Sequence, residues 1–201
     1  MVSSSLNNHI RMSRIYLAIF MICMFTTCNK KDTSENEFLI PEQLLRNTDL
    51  EADSASGRYF YWWNSGLGTG YEAKWTDEES YSPSHSLKIS CATVDSANFW
   101  YWGQYLDYNI PYGHDLTLTA KIKGVSLEGE GVWMVLRCDA IGEQVQYEIT
   151  GTSIAGTFDW TTFTLDLSDV KGSVRVIYVF LGIASNTTGT VYFDDITLTQ
   201  K

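Results

Sequence analysis

The sequence lacks a hydrophobic run long enough to cross a membrane as a helix. Its N-terminal apolar run, Ile15–Phe25, has eleven residues, whereas a membrane-spanning helix needs about 20. The run follows a basic leader that contains Arg11 and Arg14, and small residues come directly after it. A short apolar stretch in this setting is typical of a secretory signal peptide. A retained transmembrane anchor is therefore disfavoured.

The segment ends at Cys28, which follows two threonines. This arrangement resembles a bacterial lipoprotein signal, in which the cysteine is lipidated and becomes the new N-terminus. It lacks the usual Leu and the usual Gly or Ala of that motif, so an ordinary signal peptide with an incidental cysteine remains the alternative. We expect a signal peptide over residues 1–27, a lipidated Cys28 with a flexible tether over residues 28–46, and a folded domain over residues 47–201.

Basic residues are scarce, with 14 Lys and Arg against 24 Asp and Glu. The formal net charge of −10 becomes −12 when Arg11 and Arg14 leave with the signal peptide. Nucleic acid and anionic lipid are poor partners for such a surface, because phosphate binding relies on clustered Lys and Arg. The negative net charge does not exclude neutral ligands.

Cysteines are also few, and none of the four belongs to a CxxC pair, so a zinc site is not indicated. Cys23 leaves with the signal peptide. Cys91 and Cys138 continue the apolar sides of two predicted strands, and we interpret both as small core residues. Export permits disulfides, so a Cys91–Cys138 bridge remains the alternative.

Catalytic motifs are missing as well. The sequence contains no HExxH and no phosphate-binding loop. Residues 151–155, GTSIA, depart from G-x-S-x-G at the last position and lack its strand–turn–helix context. Carboxylates are plentiful, so a glycosidase pair stays open, but the predicted domain leaves no second domain for a catalytic cleft. We expect a protein that is not an enzyme.

Alternation of apolar and polar residues dominates the sequence after Arg46, where no helical period is present. In residues 116–123, LTLTAKIK, every second residue is apolar, and residues 163–167 repeat the pattern. Clusters of Gly, Asn, Asp, Ser and Pro separate eight or nine such segments. Short strands at this spacing predict an all-β protein, specifically an antiparallel two-sheet β-sandwich.

Several short motifs occur in the order found in jelly-roll carbohydrate-binding modules. The chain resembles the cellulose- and xylan-binding modules of families 4, 9 and 22, which have the galactose-binding-like fold. The resemblance implies a jelly roll over about residues 47–199, and it implies sugar binding less specifically than fold. The matching segments are residues 47–51, 82–89, 102–104, 111–123 and 190–198.

The family resemblance also implies a structural Ca²⁺ ion that joins the first strand to the last. Asp194 and Asp195 lie inside an apolar strand, where an unpaired carboxylate would be costly. Glu51 lies near the first strand, and backbone carbonyls of residues 84–88 could complete an oxygen shell. The alternative is that one Asp caps a turn and the other faces water.

Aromatic residues are concentrated in residues 98–108, NFWYWGQYLDY, where six of eleven are aromatic. Alternation places Trp100, Trp102 and Gln104 on one face and Phe99, Tyr101 and Tyr105 on the other. Sugars present C–H patches that match an aromatic plane, while their hydroxyls form hydrogen bonds with polar neighbours. Tyr and Trp side chains also tolerate partly solvent-exposed positions. We therefore predict that the Trp–Gln face is the groove and the Phe–Tyr face the packing side, an assignment that a single bulge would reverse.

A second strand places Trp133 and Arg137 on one face, opposite an apolar face. Trp62 or Trp63 would join them from a neighbouring loop, and core packing is the alternative for every one of these residues. The predicted carbohydrate-binding residues are Trp62, Trp63, Trp100, Trp102, Gln104, Trp133 and Arg137.

These observations favour a non-catalytic, lipid-anchored protein of the cell envelope that binds a polysaccharide or oligosaccharide. The lipid would attach it to the periplasmic face or the surface face of a membrane, such as the outer membrane. Glycan-degrading enzymes would be possible partners. A second hypothesis is a structural or interaction lipoprotein that docks a protein on the same aromatic surface. A third is a small glycan-acting enzyme.

Overall fold

The computed structural model describes residues 42–52, 60–93, 99–107, 114–140, 146–150, 154–170 and 174–200. The predicted signal peptide, Cys28 and most of the predicted tether lie outside these residues. No helix in the described part of the chain is long and apolar enough to span a bilayer. The described strands are β1 Trp63–Gly66, β2 Tyr71–Thr76, β3 Ser86–Cys91, β4 Trp100–Leu106, β5 Leu116–Ala140, β6 Gln146–Ile149, β7 Ile154–Leu167, β8 Val174–Ile183 and β9 Thr188–Gln200.

The 25-residue strand β5 belongs to two sheets. Its first half pairs antiparallel with β7 and β9, and its second half pairs antiparallel with β6 and β8. One sheet therefore has the order β1-β4-β8-β5-β6, and the other has the order β2-β3-β9-β5-β7. This arrangement confirms the predicted all-β, antiparallel two-sheet sandwich of the jelly-roll kind.

Two glycines lie where β5 passes from one sheet to the other. Gly129 and Gly131 have φ values of 99° and 82°, a region that residues with a Cβ rarely adopt. A Cβ at Gly131 would collide with the carbonyl oxygen of Ile154, and one at Gly129 with that of Asn186. Glycine at these positions lets neighbouring chains approach the bend closely.

Alternation within the strands places the core between the two sheets. Leu118 and Ile122 of β5, Ile89 of β3 and Leu181 of β8 are all fully buried. Full burial of each such side chain contributes about 1.5–3 kcal/mol. The period-two pattern predicted from the sequence thus corresponds to one inward and one outward face for each sheet.

The segment before β1 is part of this core, which corrects the predicted domain start. The sequence placed residues 28–46 in a tether, yet Leu44 and Leu45 are buried, at 0% and 4% exposure. The Gln43 Oε1 atom accepts hydrogen bonds from the backbone N–H groups of Leu45 (3.0 Å) and Leu198 (2.9 Å). The polar residues of this segment suggested a tether, but its two leucines are buried in the core. The folded domain therefore includes at least residues 43–46.

Cys91 and Cys138 are buried free thiols. Burial raises the pKa of the Cys138 thiol to about 12. The interpretation of both cysteines as small core residues is confirmed, and they do not form the alternative Cys91–Cys138 disulfide.

We expect a chain that begins at residue 47 to be less stable than one that begins at residue 40. The shorter chain loses the burial of Leu44 and Leu45, about 1.5–3 kcal/mol each, and exposes the groups that they cover. Urea unfolding of both proteins measures the difference. Equal midpoints and equal slopes would contradict the role given to residues 43–46.

Candidate functional site

The outward face of the β1-β4-β8-β5-β6 sheet carries a group of aromatic side chains. Apolar residues of β4, β8 and β5 point into the core, so the residues between them point outward. We call this surface the aromatic face. Its members are Trp63, Tyr101, Tyr105, Trp133, Tyr147, Tyr178 and Phe180.

One row of the aromatic face crosses four strands. Tyr105 pairs with Tyr178, Tyr178 with Arg137, and Arg137 with Tyr147. Because neighbouring strands lie 4.7–4.9 Å apart, the row spans about 14 Å. Tyr105 and Tyr147, at its two ends, are each 62% exposed. The row therefore offers solvent an elongated strip of rings that contains one cation.

Two tryptophans lie close against the sheet because their cross-strand neighbours are glycines. A Cβ on Gly103 would come within 2.8 Å of the Trp63 ring, and a Cβ on Gly182 would collide with the Trp133 ring. Trp63 is paired with Gly103, and Trp133 is paired with Gly182. The glycines thus leave room for each indole to cover the backbone of the adjacent strand.

Ring contacts join these tryptophans into one platform. The Tyr101 ring lies 5.5 Å from Trp63 and 5.1 Å from Phe180, both in edge-to-face geometry. The Tyr178 and Phe180 rings are stacked at 5.9 Å. Aromatic pairs of this kind contribute about 0.5–1.5 kcal/mol each beyond their area burial. These contacts hold the rings of Trp63, Tyr101, Tyr178 and Phe180 in a defined arrangement before any ligand arrives.

Arg137 supplies the positive charge of the row, and its orientation is fixed. Its guanidinium donates to both carboxylate oxygens of Asp139, at 2.8 and 3.0 Å, and lies 5.3 Å from the centre of the Tyr178 ring. The hydrogen bonds that Arg137 donates to the Asp139 carboxylate raise the pKa of Arg137. A planar bidentate ion pair of this kind presents remaining N–H and oxygen sites in a defined direction.

The predicted assignment of the two faces of β4 is reversed in the structure. Trp102 and Gln104 are buried, at 3% and 2% exposure, whereas Tyr105 on the other side is open. The Trp102 indole N–H donates to the backbone oxygen of Lys88 at 3.1 Å, across the core. The Trp–Gln face is therefore the packing side, and the Phe–Tyr face is the outward one.

The Gln104 amide has an internal partner that the sequence did not reveal. Its oxygen accepts the backbone N–H of Arg46 at 2.9 Å, and its nitrogen donates to the backbone oxygen of Arg46 at 3.0 Å. The two residues are 58 positions apart in sequence. A buried amide that ties down a peptide group satisfies its own polar atoms, so it does not indicate a ligand.

Two further predicted groove residues also serve packing. The Trp62 side chain is 5% exposed, and its indole N–H donates to the backbone oxygen of Asn47 at 3.1 Å. Trp100 is partly buried, and its ring stacks on Tyr71 at 5.8 Å. The structure thus brings Trp63, Trp133 and Arg137 together on the aromatic face and places Trp62, Trp100, Trp102 and Gln104 on the core side.

Several members of the aromatic face, notably Tyr147, Tyr178 and Phe180, were not among the residues predicted from the sequence. The last two alternate with Ile177, Val179 and Leu181, which are fully buried. That alternation would have placed both rings on an outward face. The signal was present, but aromatic residues in an apolar strand are usually taken as core.

Asp194, one of the carboxylates predicted to bind calcium, accepts several hydrogen bonds from the chain. Asp194 is fully buried, and its oxygens accept the backbone N–H groups of Tyr81 (2.7 Å), Ser82 (2.8 Å) and Asp195 (2.7 Å), together with the Ser82 hydroxyl (3.0 Å). Burial raises the pKa of Asp194, and these hydrogen bonds oppose the rise. Asp194 thus ties β9 to the segment between β2 and β3.

Glu51 makes a similar tie from the first segment to the start of β3. Its Oε1 accepts the backbone N–H groups of Ser84 (3.0 Å) and His85 (2.8 Å), and its Oε2 lies 3.0 Å from His85 Nδ1. Burial raises the pKa of Glu51, but the hydrogen bonds from His85 and Ser84 outweigh that effect and lower it.

As placed, Glu51 and Asp194 do not fit a cation. The groups that approach them include backbone N–H donors, whereas calcium needs six to eight oxygen ligands. Asp195, which follows Asp194 in the sequence, is half-buried, and the described residues contain no group of three or more His, Cys, Asp or Glu side chains able to hold a metal ion. The calcium ion stays a prediction that this hydrogen-bonding arrangement does not favour.

Solved structures share the fold at low sequence identity. No protein-family model matches the sequence, and no curated protein matches it. The xylan-binding CBM22-1 domain of Paenibacillus barcinonensis Xyn10C is 14% identical, with a TM-score of 0.55 over 79% of this chain and 94% of that domain. TmCBM61, solved with β-1,4-galactotriose, is 13% identical, with a TM-score of 0.52 over 80% of this chain and 100% of that one.

The fold likeness extends beyond binding modules. The Stig cyclase Fisc from Fischerella sp. TAU is 17% identical, with a TM-score of 0.56 over 81% of this chain and 96% of the cyclase. The enzymatically active domain of tailspike protein 4 from bacteriophage CBA120 also shares the fold, but this chain spans 22% of the length of that domain. The comparisons confirm the fold that the sequence motifs indicated.

We expect Asp194→Asn to lower the free energy of unfolding by about 1–3 kcal/mol, because the amide leaves buried donors without an acceptor. Asp195→Asn, one residue away and half-buried, is the matched control and should have a smaller effect. Urea unfolding measures both. EDTA should leave the melting temperature of the wild type unchanged, and a fall in melting temperature that calcium reverses would show that the calcium ion is present.

Proposed function

We propose that this protein binds a neutral carbohydrate on its aromatic face, without catalysis, while anchored by lipid at the cell envelope. The observation that carries the proposal is the exposed row Tyr105–Tyr178–Arg137–Tyr147. This row combines open rings with one fixed ion pair on the outward face of a rigid sheet.

The chemistry of the row suits sugars. A pyranose ring has a face of C–H groups that packs on an aromatic plane. A partly solvent-exposed tyrosine can also offer its hydroxyl for hydrogen bonding. Arg137 and Asp139 supply a donor and an acceptor for sugar hydroxyls beside the Tyr178 ring. The acidic balance of the chain, with a net charge of −10, disfavours polyanionic ligands.

Two of the solved structures with the same fold support a sugar ligand, but the shared fold does not identify the ligand of this protein. One is described as xylan-binding and another was solved with a galactotriose. Fold alone does not fix function, since the same fold accompanies a cyclase. The proposal therefore depends on the aromatic face itself.

The second candidate is a lipoprotein that docks a protein on the aromatic face. The observation that favours it is Ile149, an aliphatic side chain that is 51% exposed beside Tyr147 on the edge strand β6. Aliphatic area on a sheet edge suits a protein surface better than a sugar hydroxyl. Ile149→Ser separates the candidates, because it should weaken docking of a protein while leaving sugar binding near its wild-type strength.

We expect Tyr105→Ala and Tyr147→Ala each to weaken sugar binding about tenfold or more, equivalent to about 1.4 kcal/mol. Tyr81→Ala is the matched control, because Tyr81 is 50% exposed but packs against Trp160 of β7 in the other sheet. A neutral-glycan array, followed by calorimetry with β-1,4-galactotriose and xylan as first probes, measures binding. Absence of glycan binding by the wild type, or equal binding by all three variants, would contradict the proposal.

The proposed anchor is a lipid on Cys28 that would place the domain near glycan-degrading enzymes of the envelope. Two or more acyl chains hold a protein stably, because each buried CH₂ contributes about 0.8 kcal/mol and one chain alone is marginal. We expect Cys28→Ser to move the protein from the membrane fraction to the soluble fraction. Cys23→Ser, within the apolar run, is the control, and membrane retention of Cys28→Ser would refute lipidation.

A further inference from the structure

A pocket lies at the β4 end of the aromatic face. Its volume is about 340 Å³, near the lower end of the range of about 300–1,000 Å³ for small-molecule sites. Tyr105 belongs both to the pocket lining and to the row Tyr105–Tyr178–Arg137–Tyr147. A chain that lies along the row thus has the pocket at one end. The lining residues are Arg46, Tyr61, Gln104, Tyr105, Leu106 and Asp107.

One wall of the pocket is built in advance by long-range contacts. The buried Gln104 amide holds the peptide group of Arg46 with two hydrogen bonds, and the Arg46 guanidinium lies 5.1 Å from the centre of the Tyr61 ring. Tyr61 itself has a φ of 67°, which is uncommon for a bulky residue and is often found at functional sites. The backbone of Arg46 is therefore fixed relative to β4, and the Arg46 side chain contacts Tyr61.

The lining combines the groups that recognise a single sugar ring. Tyr61 and Tyr105 are 42% and 62% exposed and offer aromatic planes. Asp107 is exposed, and no hydrogen bond or ion pair joins its carboxylate to the residues that the structure describes. A carboxylate accepts two neighbouring hydroxyls, and a guanidinium donates in a fixed direction.

We infer that this pocket is a subsite for the terminal ring of a neutral glycan whose remaining rings lie along the aromatic face. The inference depends on the proposed function and goes beyond it, because it assigns the protein a preference for chain ends. Asp107 would accept hydrogen bonds from adjacent hydroxyls of the terminal ring, and Tyr61 and Tyr105 would pack on its C–H faces. An internal ring of a long chain continues past the pocket and gains less from Asp107.

The test compares Asp107→Asn with Asp77→Asn, an exposed aspartate beyond β2 in the other sheet. The probes are the tightest neutral oligosaccharide from the glycan array, with β-1,4-galactotriose tried first, and the matching polysaccharide. Asp107→Asn should weaken oligosaccharide binding at least fivefold and change polysaccharide binding less than twofold. Asp77→Asn should match the wild type with both probes, and circular dichroism checks that both variants fold.

Two results would overturn the inference while leaving the proposed function intact. In one, Asp107→Asn binds the oligosaccharide as strongly as Asp77→Asn does, which would show that the pocket is not part of the binding site. In the other, Asp107→Asn loses the same factor for both probes, which assigns the pocket to an internal ring or a branch. Failure of the wild type to bind any glycan would instead overturn the proposed function itself.

Discussion

The structure depends on the inward packing of one side of three adjacent strands. Trp102 of β4, Leu181 of β8 and Met134 of β5 are paired in register across their strands, and all three are buried. Because side chains alternate along a strand, this choice fixes the direction of every neighbour. Tyr101, Trp133 and Phe180 must then face outward. The apolar contacts that stabilise the sandwich therefore also create the aromatic face.

Supporting contacts keep that outward face rigid at positions where a soluble surface would usually be polar. Gly103 and Gly182 give the two indoles room to lie close to the backbone, and edge-to-face contacts hold Tyr101 between Trp63 and Phe180. At the end of β4, the Gln104 amide fixes the wall of the pocket. A preformed surface loses little conformational entropy on binding, which suits recognition of a ligand with many weak contacts.

Local pattern predicted the all-β two-sheet fold and the division of β4 into two faces, because period-two alternation is a short-range property. It could not predict which β4 face is buried. That choice depends on Gln104 meeting Arg46, 58 positions away, and on Trp102 meeting Lys88 across the core. The role of Asp194 was equally unpredictable from local pattern, since its partners Tyr81 and Ser82 are more than 100 positions away. A polar residue in an apolar strand signals a partner, but sequence alone does not say whether the partner is backbone, metal or ligand.

The central claim, that ligand meets the protein on the aromatic face, is tested most directly by an NMR titration of the indole N–H signals. Addition of a bound neutral oligosaccharide should shift the Trp133 and Trp63 signals, which report on the aromatic face. It should leave unchanged the signals of Trp102, whose N–H is bonded within the core, and of Trp160, which lies beside Tyr81. A shift of Trp160 with no change at Trp133 would place the ligand on the other sheet and contradict the account.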